Sequence, residues 1–290
     1  MLWLSVLGYC VYRWQMGYTV ELASALSSTL ASPATVGVLL LVVALMPLNW
    51  YLETLRWQRL AAAQEPLSWR KAWQGVWMGL ALGLWMPRLL AEYVGRVGEL
   101  PRTERKENVG RVFLAQATMM NATLTVGLAG ALSFWQVPGA WGFALLTMAF
   151  WPWAVWRVLQ SGHGWVRRLY PGYHPDALSH TAYWQIQGLA YLRYLIFFVQ
   201  YGLLLYLFLP PLTTSALWGG VAWVFLVKSA TPFLHVLGDL GVREFSALLY
   251  FEALGVPAAA IITPTALLWS LNVLIPTALG ALVWLKKNRR

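Results

Sequence analysis

MPRLLAEYVGR (residues 86–96) and TPFLHVLGDLGVRE (residues 231–244) are the two stretches that decide how the fold is interpreted. Each has a proline that interrupts an apolar run, then a carboxylate, a glycine, and an arginine four residues after the carboxylate. Side chains with this spacing share one face of a helix. Both stretches follow a tryptophan-rich apolar segment, about half a chain apart. We therefore treat them as two copies of one acid–arginine unit.

The composition predicts a membrane protein. Of the 290 residues, 59% are hydrophobic and 11% are charged, and the mean hydropathy is +0.56. A soluble domain carries roughly 25% charged residues. The 19 tryptophans and 13 tyrosines are typical of aromatic belts at the two membrane surfaces. These features predict an all-α polytopic membrane protein.

The hydropathy pattern gives the candidate membrane segments. Several approach the ~20 residues that cross a bilayer as a helix. The first segment lacks a basic start and a clear cleavage site, so we interpret it as a retained helix and not a signal peptide. The predicted segments are 1–13, 35–57, 70–86, 111–134, 139–160, 183–208, 215–230, 240–254 and 258–285.

The net charge of +10 is distributed as membrane topology requires. Basic residues concentrate in particular loops, which are then expected to be cytoplasmic, in a bacterial inner membrane with a cytoplasmic C-terminus. This distribution also argues against a nucleic-acid partner, because the basic residues lie in the loops between apolar segments, where membrane topology alone accounts for them. The basic residues assigned to these loops and to the C-terminal tail are Arg56, Arg59, Arg70, Lys71, Arg88, Arg96, Arg102, Arg105, Lys106, Arg111, Arg157, Arg167, Arg168 and those of 286–290.

The same rule predicts two re-entrant hairpins. Segment 70–86 has basic flanks on both sides, so both of its ends should be cytoplasmic, whereas residues 212–256 should begin and end outside. The prediction is one membrane domain, 1–290, with about six transmembrane helices and two re-entrant hairpins in inverted repeats 1–135 and 138–290. The alternative is that both hairpins are ordinary spans, which would place the loop 88–111 outside, against the charge bias.

The two acid–arginine units predict a substrate-binding site. Arg96 and Arg243 would hold an anionic group in a midplane cavity. Glu92 and Asp239 would orient the arginines, exchange partners as the cavity opens, or meet a cationic headgroup. The alternative is a structural clasp, in which each pair only neutralises its own charges. Residues expected to act as structural hinges, by ending a helix or permitting a sharp turn or close approach, are Pro87, Gly95, Pro232, Gly238 and Gly241.

Three further ionisable residues lie within apolar segments. Arg193 either faces the cavity as a third cation or extends its long side chain toward the membrane surface. Lys228 either pairs with Asp239 or marks the deep turn of the second hairpin. His235 is either a proton-linked switch or a hydrogen-bonded structural residue.

The motif search predicts no catalytic residues, no metal site and no cofactor. The phosphate-binding glycine loop, the nucleophile elbow and the zinc-protease motif are all missing from the sequence. The histidines His163, His174 and His180 lack metal-ligand spacing. Cys10 is the only cysteine, which excludes an intrachain disulfide.

The motifs PxxxAEYxGR (residues 87–96) and GDLGVRE (residues 238–244) resemble the two signature regions of the lysylphosphatidylglycerol synthase transmembrane-region family, and the similarity extends along the chain in order and spacing. The resemblance implies a helical membrane domain with inverted halves and re-entrant hairpins. In bifunctional members this domain is linked to flipping aminoacylated phosphatidylglycerol, which a separate cytosolic domain makes.

This chain resembles a stand-alone member of that family, because it stops at Arg290 before any synthase domain, and lysyl transfer is not implied. Ala91 stands where the family has glycine, and the spacing from Glu92 to Arg96 is one residue longer than the commonest pattern. Stand-alone members also accompany glycan or isoprenoid-lipid pathways. The resemblance therefore leaves the lipid open.

The sequence thus favours a flippase-like transporter that moves an anionic or modified phospholipid, or a lipid-linked substrate, between leaflets. The alternative is a membrane enzyme or accessory subunit that acts on a lipid-linked glycan, with the carboxylates as acid and base. A third interpretation is a scaffold for a protein partner, which would have an occluded centre. The expected partner is a membrane lipid, and homo-oligomerisation is left open.

Overall fold

The structure is a computed structural model that describes residues 2–17, 32–61, 67–98, 100, 105–134, 137, 139–161, 178–229 and 236–288. All regular elements in these ranges are helical, which confirms the all-α part of the predicted fold class. The helices are α1 (Leu2–Gly17), α2 (Pro33–Ala61), α3 (Trp69–Leu82), α4 (Arg88–Val97), α5 (Arg105–Phe134), α6 (Ala140–Gln160), α7 (His180–Phe208), α8 (Thr214–Ser229), α9 (Val236–Phe251), α10 (Ala258–Trp269) and α11 (Ile275–Asn288).

Three helices in the described ranges are long and apolar enough to cross a membrane. They are α2, α7, and the continuous helix Ala258–Leu285, which α10 and α11 form together. Each has 28 or 29 residues, about 42 Å of helix at 1.5 Å per residue. The membrane character of the chain therefore rests on length and apolar composition together.

The junction of α10 and α11 is a π-helical turn at Ser270–Leu274. It ends two residues before Pro276, which has no backbone N–H and whose ring would clash with the carbonyl group four residues earlier in a regular helix. Such turns locally widen a helix and are frequent at functional sites. Here the turn carries Asn272, which is buried near the middle of the span.

Helices α3 and α4 form a tight helical hairpin. Its two backbones meet at small residues, because a Cβ added to Gly95 would lie 2.5 Å from Gly79 Cα and 2.8 Å from the Gly75 carbonyl oxygen. Small residues at four-residue spacing allow this kind of approach between membrane helices. The sequence did not predict α4 as a helix, since the loop from 88 to 111 was expected there, but the residue spacing within the acid–arginine unit is helical.

The tip of this hairpin lies at the middle of a spanning helix. Leu84, in the turn between α3 and α4, packs against Trp269 and Val273. Those two residues flank the midpoint of the span Ala258–Leu285. Helix α3 has 14 residues, about 21 Å of helix, so it is shorter than the ~30 Å hydrocarbon core.

Helices α8 and α9 form the corresponding pair in the second half of the chain, and each has 16 residues. Helix α8 packs tightly against α5, because a Cβ added to Gly130 would collide with Ala222 and lie 2.8 Å from the Gly219 carbonyl oxygen. In the same way α3 packs against α11, where the Trp77 carbonyl occupies the space that a side chain at position 280 would need. Thus α3, from the first half of the chain, packs against α11, the last helix of the second half. Conversely, α8, from the second half, packs against α5, the last helix of the first half.

Several arginines counted as loop charges are inside the protein. Arg56 lies in α2 and is 1% exposed, and Arg96 lies in α4 and is 3% exposed. Arg111 is buried in α5 and donates a hydrogen bond to the Ala61 carbonyl at 2.8 Å. Their assignment to loops was wrong because each lies at the end of an apolar run, where hydropathy cannot distinguish a surface cation from a buried one. Exposed basic residues nevertheless remain at the end of α2, at Arg59, and at the start of α3, at Arg70 and Lys71.

Candidate functional site

Glu53 on α2 is the centre of a buried charge network. The residue is 1% exposed, and Arg56 donates to both of its carboxylate oxygens at 3.0 and 2.7 Å. Arg96 Nη2 lies 2.5 Å from Oε1, and Arg193 Nη1 lies 2.7 Å from Oε2. One carboxylate therefore holds three guanidinium groups from three helices, which fixes α4 and α7 against α2.

The arginines of this network are also held by other groups. Arg56 donates to the Ala115 carbonyl at 2.7 Å, and Arg193 Nε donates to Asn49 at 2.9 Å. The guanidinium of Arg193 lies over the Trp50 ring at 5.2 Å from its centroid, a cation–π distance. Desolvated arginine needs this combination of counterion, hydrogen bond and aromatic face to remain in the interior.

Glu92 on α4 connects this network to a cavity. Arg88 Nε donates to Oε1 at 3.0 Å, and Arg96 Nη2 lies 3.1 Å from Oε2. Gln116 on α5 also donates to Oε2. Because Arg96 contacts both Glu53 and Glu92, the two carboxylates belong to one continuous network.

The second acid–arginine unit is formed in the same way on α9. Arg243 Nη2 donates to Asp239 Oδ2 at 2.7 Å, and Lys228 Nζ, at the end of α8, lies 3.8 Å from Oδ1. Arg243 is 1% exposed, and its Nε and Nη1 atoms have no hydrogen-bond partner among the described residues. The N–H groups on Nε and Nη1 are therefore available to donate hydrogen bonds to a ligand.

The two units meet at one cavity. Its volume is about 470 Å³ when the open solvent at its mouth is included. The walls come from both halves of the chain and from the middle of all three spanning helices. The lining residues are Trp50, Gly79, Leu80, Gly83, Arg88, Glu92, Phe197, Lys228, Asp239, Arg243, Asn272 and Val273.

The residues predicted from the sequence fall into two groups in space. Glu92, Lys228, Asp239 and Arg243 line the cavity. Arg96 and Arg193 lie behind the wall, on Glu53. For Arg193, the interpretation that it extends toward the membrane surface is wrong, because it is 4% exposed and ion-paired in the interior.

Sequence reasoning missed four polar residues of the site. Glu53 was not identified, and Arg88 was counted only as a loop charge. Asn49 and Asn272 were not identified, although Asn49 donates to Asn272 at 3.4 Å and so joins two spans beside the cavity. A polar residue near the middle of an apolar segment is the signal that could have found both asparagines.

Two of the expected hinge residues have another role in the structure. Pro87 is the N-cap of α4, whereas the preceding helix has already ended at Leu82. Gly95 lies inside α4, where it allows the close approach to α3 and makes no turn.

The remaining expected hinges belong to the second unit. Gly238 and Gly241 lie inside α9, and the Gly241 carbonyl accepts a hydrogen bond from the Cys10 thiol at 3.8 Å. Pro232 and the neighbouring His235 lie outside the described residues.

The histidines do not contribute to the site where they are described. The Trp184 indole N–H donates to His180 Nε2 at 2.8 Å, near the start of α7. His163 and His174 lie outside the described residues. Within the described ranges, no group of three or more His, Cys, Asp or Glu side chains could hold a metal ion.

The cavity can bind an anion. Three cations line it, and the two carboxylates that line it are already engaged by cations. The pairs also share partners, since Arg96 contacts two carboxylates and Asp239 contacts two cations. Such an arrangement allows an incoming anion to displace a carboxylate from a cation without leaving either charge unpaired.

Comparison of the chain with models of known protein families, with characterised proteins and with solved structures finds no match. The function is therefore inferred below from the geometry of the site alone.

Proposed function

We propose that this protein is a flippase-like lipid transporter of the bacterial inner membrane, which moves an anionic or modified phospholipid, or a lipid-linked substrate, between leaflets. The observation that carries the proposal is the cavity near the middle of the three candidate spanning helices, which residues of both acid–arginine units line. Ionisable residues at this depth commonly mark a substrate pathway. The cations would hold the lipid phosphate while the acyl chains remain in the bilayer.

We further propose the topology that alternating access would need, with about six transmembrane helices and two re-entrant hairpins in inverted repeats. Its support is the reciprocal packing of α3 on α11 and of α8 on α5, together with the direct contact of α2 with α7. Lys228 lies in the last turn of α8 and Asp239 in the first turn of α9, as Gly83 follows α3 and Arg88 begins α4, and all four line the cavity. Two hairpins that approach one site are a recurring transporter plan. In this topology the C-terminus is cytoplasmic.

Transport in proteoliposomes tests the proposal. The full chain is reconstituted with fluorescent phosphatidylglycerol, phosphatidic acid or an isoprenyl diphosphate in both leaflets, and dithionite added outside quenches the probe that reaches the outer leaflet. The protein is expected to expose the inner-leaflet pool of at least one probe. If all three probes stay protected, as in protein-free vesicles, the transporter assignment is wrong.

Matched variants connect transport to the cavity. Arg88→Gln and Lys228→Gln are suitable because the Arg88 and Lys228 side chains are 31% and 21% exposed. Neither substitution therefore creates an unfilled space in the fully buried interior. Each removes a charged hydrogen-bond donor worth roughly 1.5–3 kcal/mol, so transport should slow about tenfold or more. Arg59→Gln is the control, because this exposed arginine only donates to Gln185 at 3.2 Å. Equal rates in all three variants would place the transport pathway elsewhere.

The rival function, an enzyme acting on a lipid-linked glycan, needs a carboxyl group free to exchange protons with substrate. Glu92 and Asp239 are each held by two cations. Turnover of a lipid-linked glycan by the detergent-solubilised protein, where no leaflets exist, would favour that rival.

A further inference from the structure

One buried carboxyl group stands outside both ion-pair networks. Glu244 follows Arg243 on α9 and is 2% exposed. Neither of its oxygens has a hydrogen-bond partner, and none of the ion pairs among the described residues includes it. By contrast, the three buried carboxylates of the networks are each held by at least two cations. An ionised carboxylate without such partners is costly in a dry interior, so Glu244 is most stable with its proton bound.

The helices that surround Glu244 bring neutral groups to it. Helix α9 packs against α1, α8 and α10. Cys10 on α1 and Tyr201 on α7 are buried and interact with Glu244 electrostatically, and both side chains are ordinarily neutral at neutral pH. The charged residue of α1, Arg13, is engaged by Glu252 at 2.5 Å. None of these groups supplies a counterion for a Glu244 carboxylate.

The charged groups close to Glu244 lie on its own helix. Arg243 and Asp239 both interact with Glu244 electrostatically. Helix α10 has no titratable side chain in its sequence, and Lys228, the titratable residue of α8, lies on Asp239 at 3.8 Å. A change in the charge of Glu244 is therefore felt first by Arg243.

Arg243 connects Glu244 to the cavity. This guanidinium donates to Asp239 through Nη2, and its Nε and Nη1 atoms have no hydrogen-bond partner among the described residues. Arg243 lines the cavity, whereas Glu244 is not among the described residues that line it. Neighbouring residues of a helix point about 100° apart, so the guanidinium stands between the cavity and the buried carboxyl group. An ionised Glu244 would compete with an anion in the cavity for the same N–H donors.

We propose that Glu244 is a proton-binding site, and that its proton crosses the membrane together with the anion held by Arg243, in the same direction. This inference rests on the proposed lipid transport and names the ion that drives it. While Glu244 keeps its proton, the Nε and Nη1 donors of Arg243 serve the anion. When the proton passes to water, the carboxylate takes those donors and the anion is released.

The strength of the coupling follows from the hydrogen bonds exchanged. Two ligands that favour the same state raise each other's affinity by the same factor. One charge-assisted hydrogen bond is worth about tenfold in affinity, so loss of the proton from Glu244 should weaken binding of the anion at least about tenfold.

A pH gradient across proteoliposomes tests the coupling. The full chain is reconstituted separately with fluorescent phosphatidylglycerol, phosphatidic acid and an isoprenyl diphosphate, and valinomycin with equal potassium holds the membrane potential at zero. With the outside one pH unit more acidic, the inner-to-outer ratio of a transported probe should rise above that in protein-free vesicles. One proton per lipid sets a limit of about tenfold for each pH unit.

The outcomes separate the two claims. A probe that the protein moves, but whose distribution ignores the gradient, overturns the inference and leaves lipid transport standing. If no probe moves, the transporter assignment and the inference both fail.

Variants assign the coupling to Glu244. Glutamine keeps the shape of the side chain and cannot release a proton, so Glu244→Gln should move the probe only to equal concentrations in the two leaflets. Glu252→Gln is the matched control on a carboxyl group already paired with Arg13, and it should accumulate the probe as the unmodified protein does. His235→Gln should do the same, because His235 is the other titratable residue of this motif. Accumulation that persists in Glu244→Gln, its loss in His235→Gln, or a folded Glu244→Gln that moves no probe overturns the inference.

Chemical labelling tests the site in the unmodified protein and decides the inference if Glu244→Gln does not fold. Dicyclohexylcarbodiimide adds to protonated carboxyl groups in apolar surroundings, and peptide mass spectrometry locates the adduct. At neutral pH, Glu244 should be labelled, whereas the ion-paired Glu53, Glu92 and Asp239 should not. Absence of label from Glu244, or equal labelling of all four residues, overturns the inference.

Discussion

Replacing Glu53 with glutamine is the most informative test of the buried charge network. The substitution keeps the shape of the side chain and removes the charge that Arg56, Arg96 and Arg193 share, at 2.5 to 3.0 Å. Removal of one partner from a buried pair costs about 3–5 kcal/mol, because the other charge stays buried without compensation. Here three arginines lose their common partner, so we expect a loss of at least this size.

The assay is thermal unfolding of the purified protein in detergent, followed by intrinsic tryptophan fluorescence. In soluble proteins, 1 kcal/mol shifts the midpoint by roughly 2–4 °C in this size range. Glu53→Gln is therefore expected to lower the unfolding temperature by roughly 6–20 °C.

The matched control is Glu252→Gln. Glu252 also pairs with an arginine at 2.5 Å, but the side chains of Arg13 and Glu252 are 37% and 26% exposed. Exposed pairs contribute about 0–1 kcal/mol, so the midpoint should fall by less than about 4 °C. Equal shifts in the two variants would refute the conclusion that Glu53 organises the interior.

Two matched pairs of substitutions test the packing and the hydrogen bonds around the site. Gly95→Ala places a methyl group 2.5 Å from Gly79 Cα, which should cost about 1–3 kcal/mol of overpacking, whereas Gly188→Ala has nothing within 4 Å and should be neutral or stabilising in thermal unfolding. Indistinguishable midpoints would show that α3 and α4 are not in close contact. Asn49→Ala leaves the buried charged donor Arg193 Nε without its acceptor and should cost about 1–3 kcal/mol. Asn272→Ala removes two long neutral bonds, to Asn49 at 3.4 Å and to the Leu268 carbonyl at 3.3 Å, and should cost about 0.5–1.5 kcal/mol. The reverse order in unfolding would contradict the role given to Asn49.

The helical fold was predictable because apolar runs long enough to form membrane helices are separated by charged or proline-containing stretches. The predicted segment 183–208 corresponds to α7 (His180–Phe208), and 139–160 corresponds to α6 (Ala140–Gln160). Helix α4 was missed because its ten residues include Arg88, Glu92 and Arg96, and hydropathy alone places such a stretch in a loop. The four-residue spacing was the signal that indicated a helix.

The site was only partly predictable for a different reason. The repeated unit identified Glu92, Asp239 and Arg243 because its pattern is local in sequence. Glu53 could not be found in this way, because its importance comes from Arg96, 43 residues away, and from Arg193 on α7. Neutralisation of a buried charge by distant residues is a property of packing, and it becomes visible only when the helices are placed together.

The claim that the cavity receives the lipid headgroup is tested most directly by the position of a bound phosphorus atom. We suggest cryo-electron microscopy of the full chain in nanodiscs, with whichever lipid probe proteoliposomes move fastest. We expect phosphate density within hydrogen-bond distance of Arg88, Lys228 and Arg243, in the cavity that these residues line. Phosphate density bound only at the membrane surface, with the ion pairs Arg88–Glu92 and Arg243–Asp239 unchanged, would contradict it.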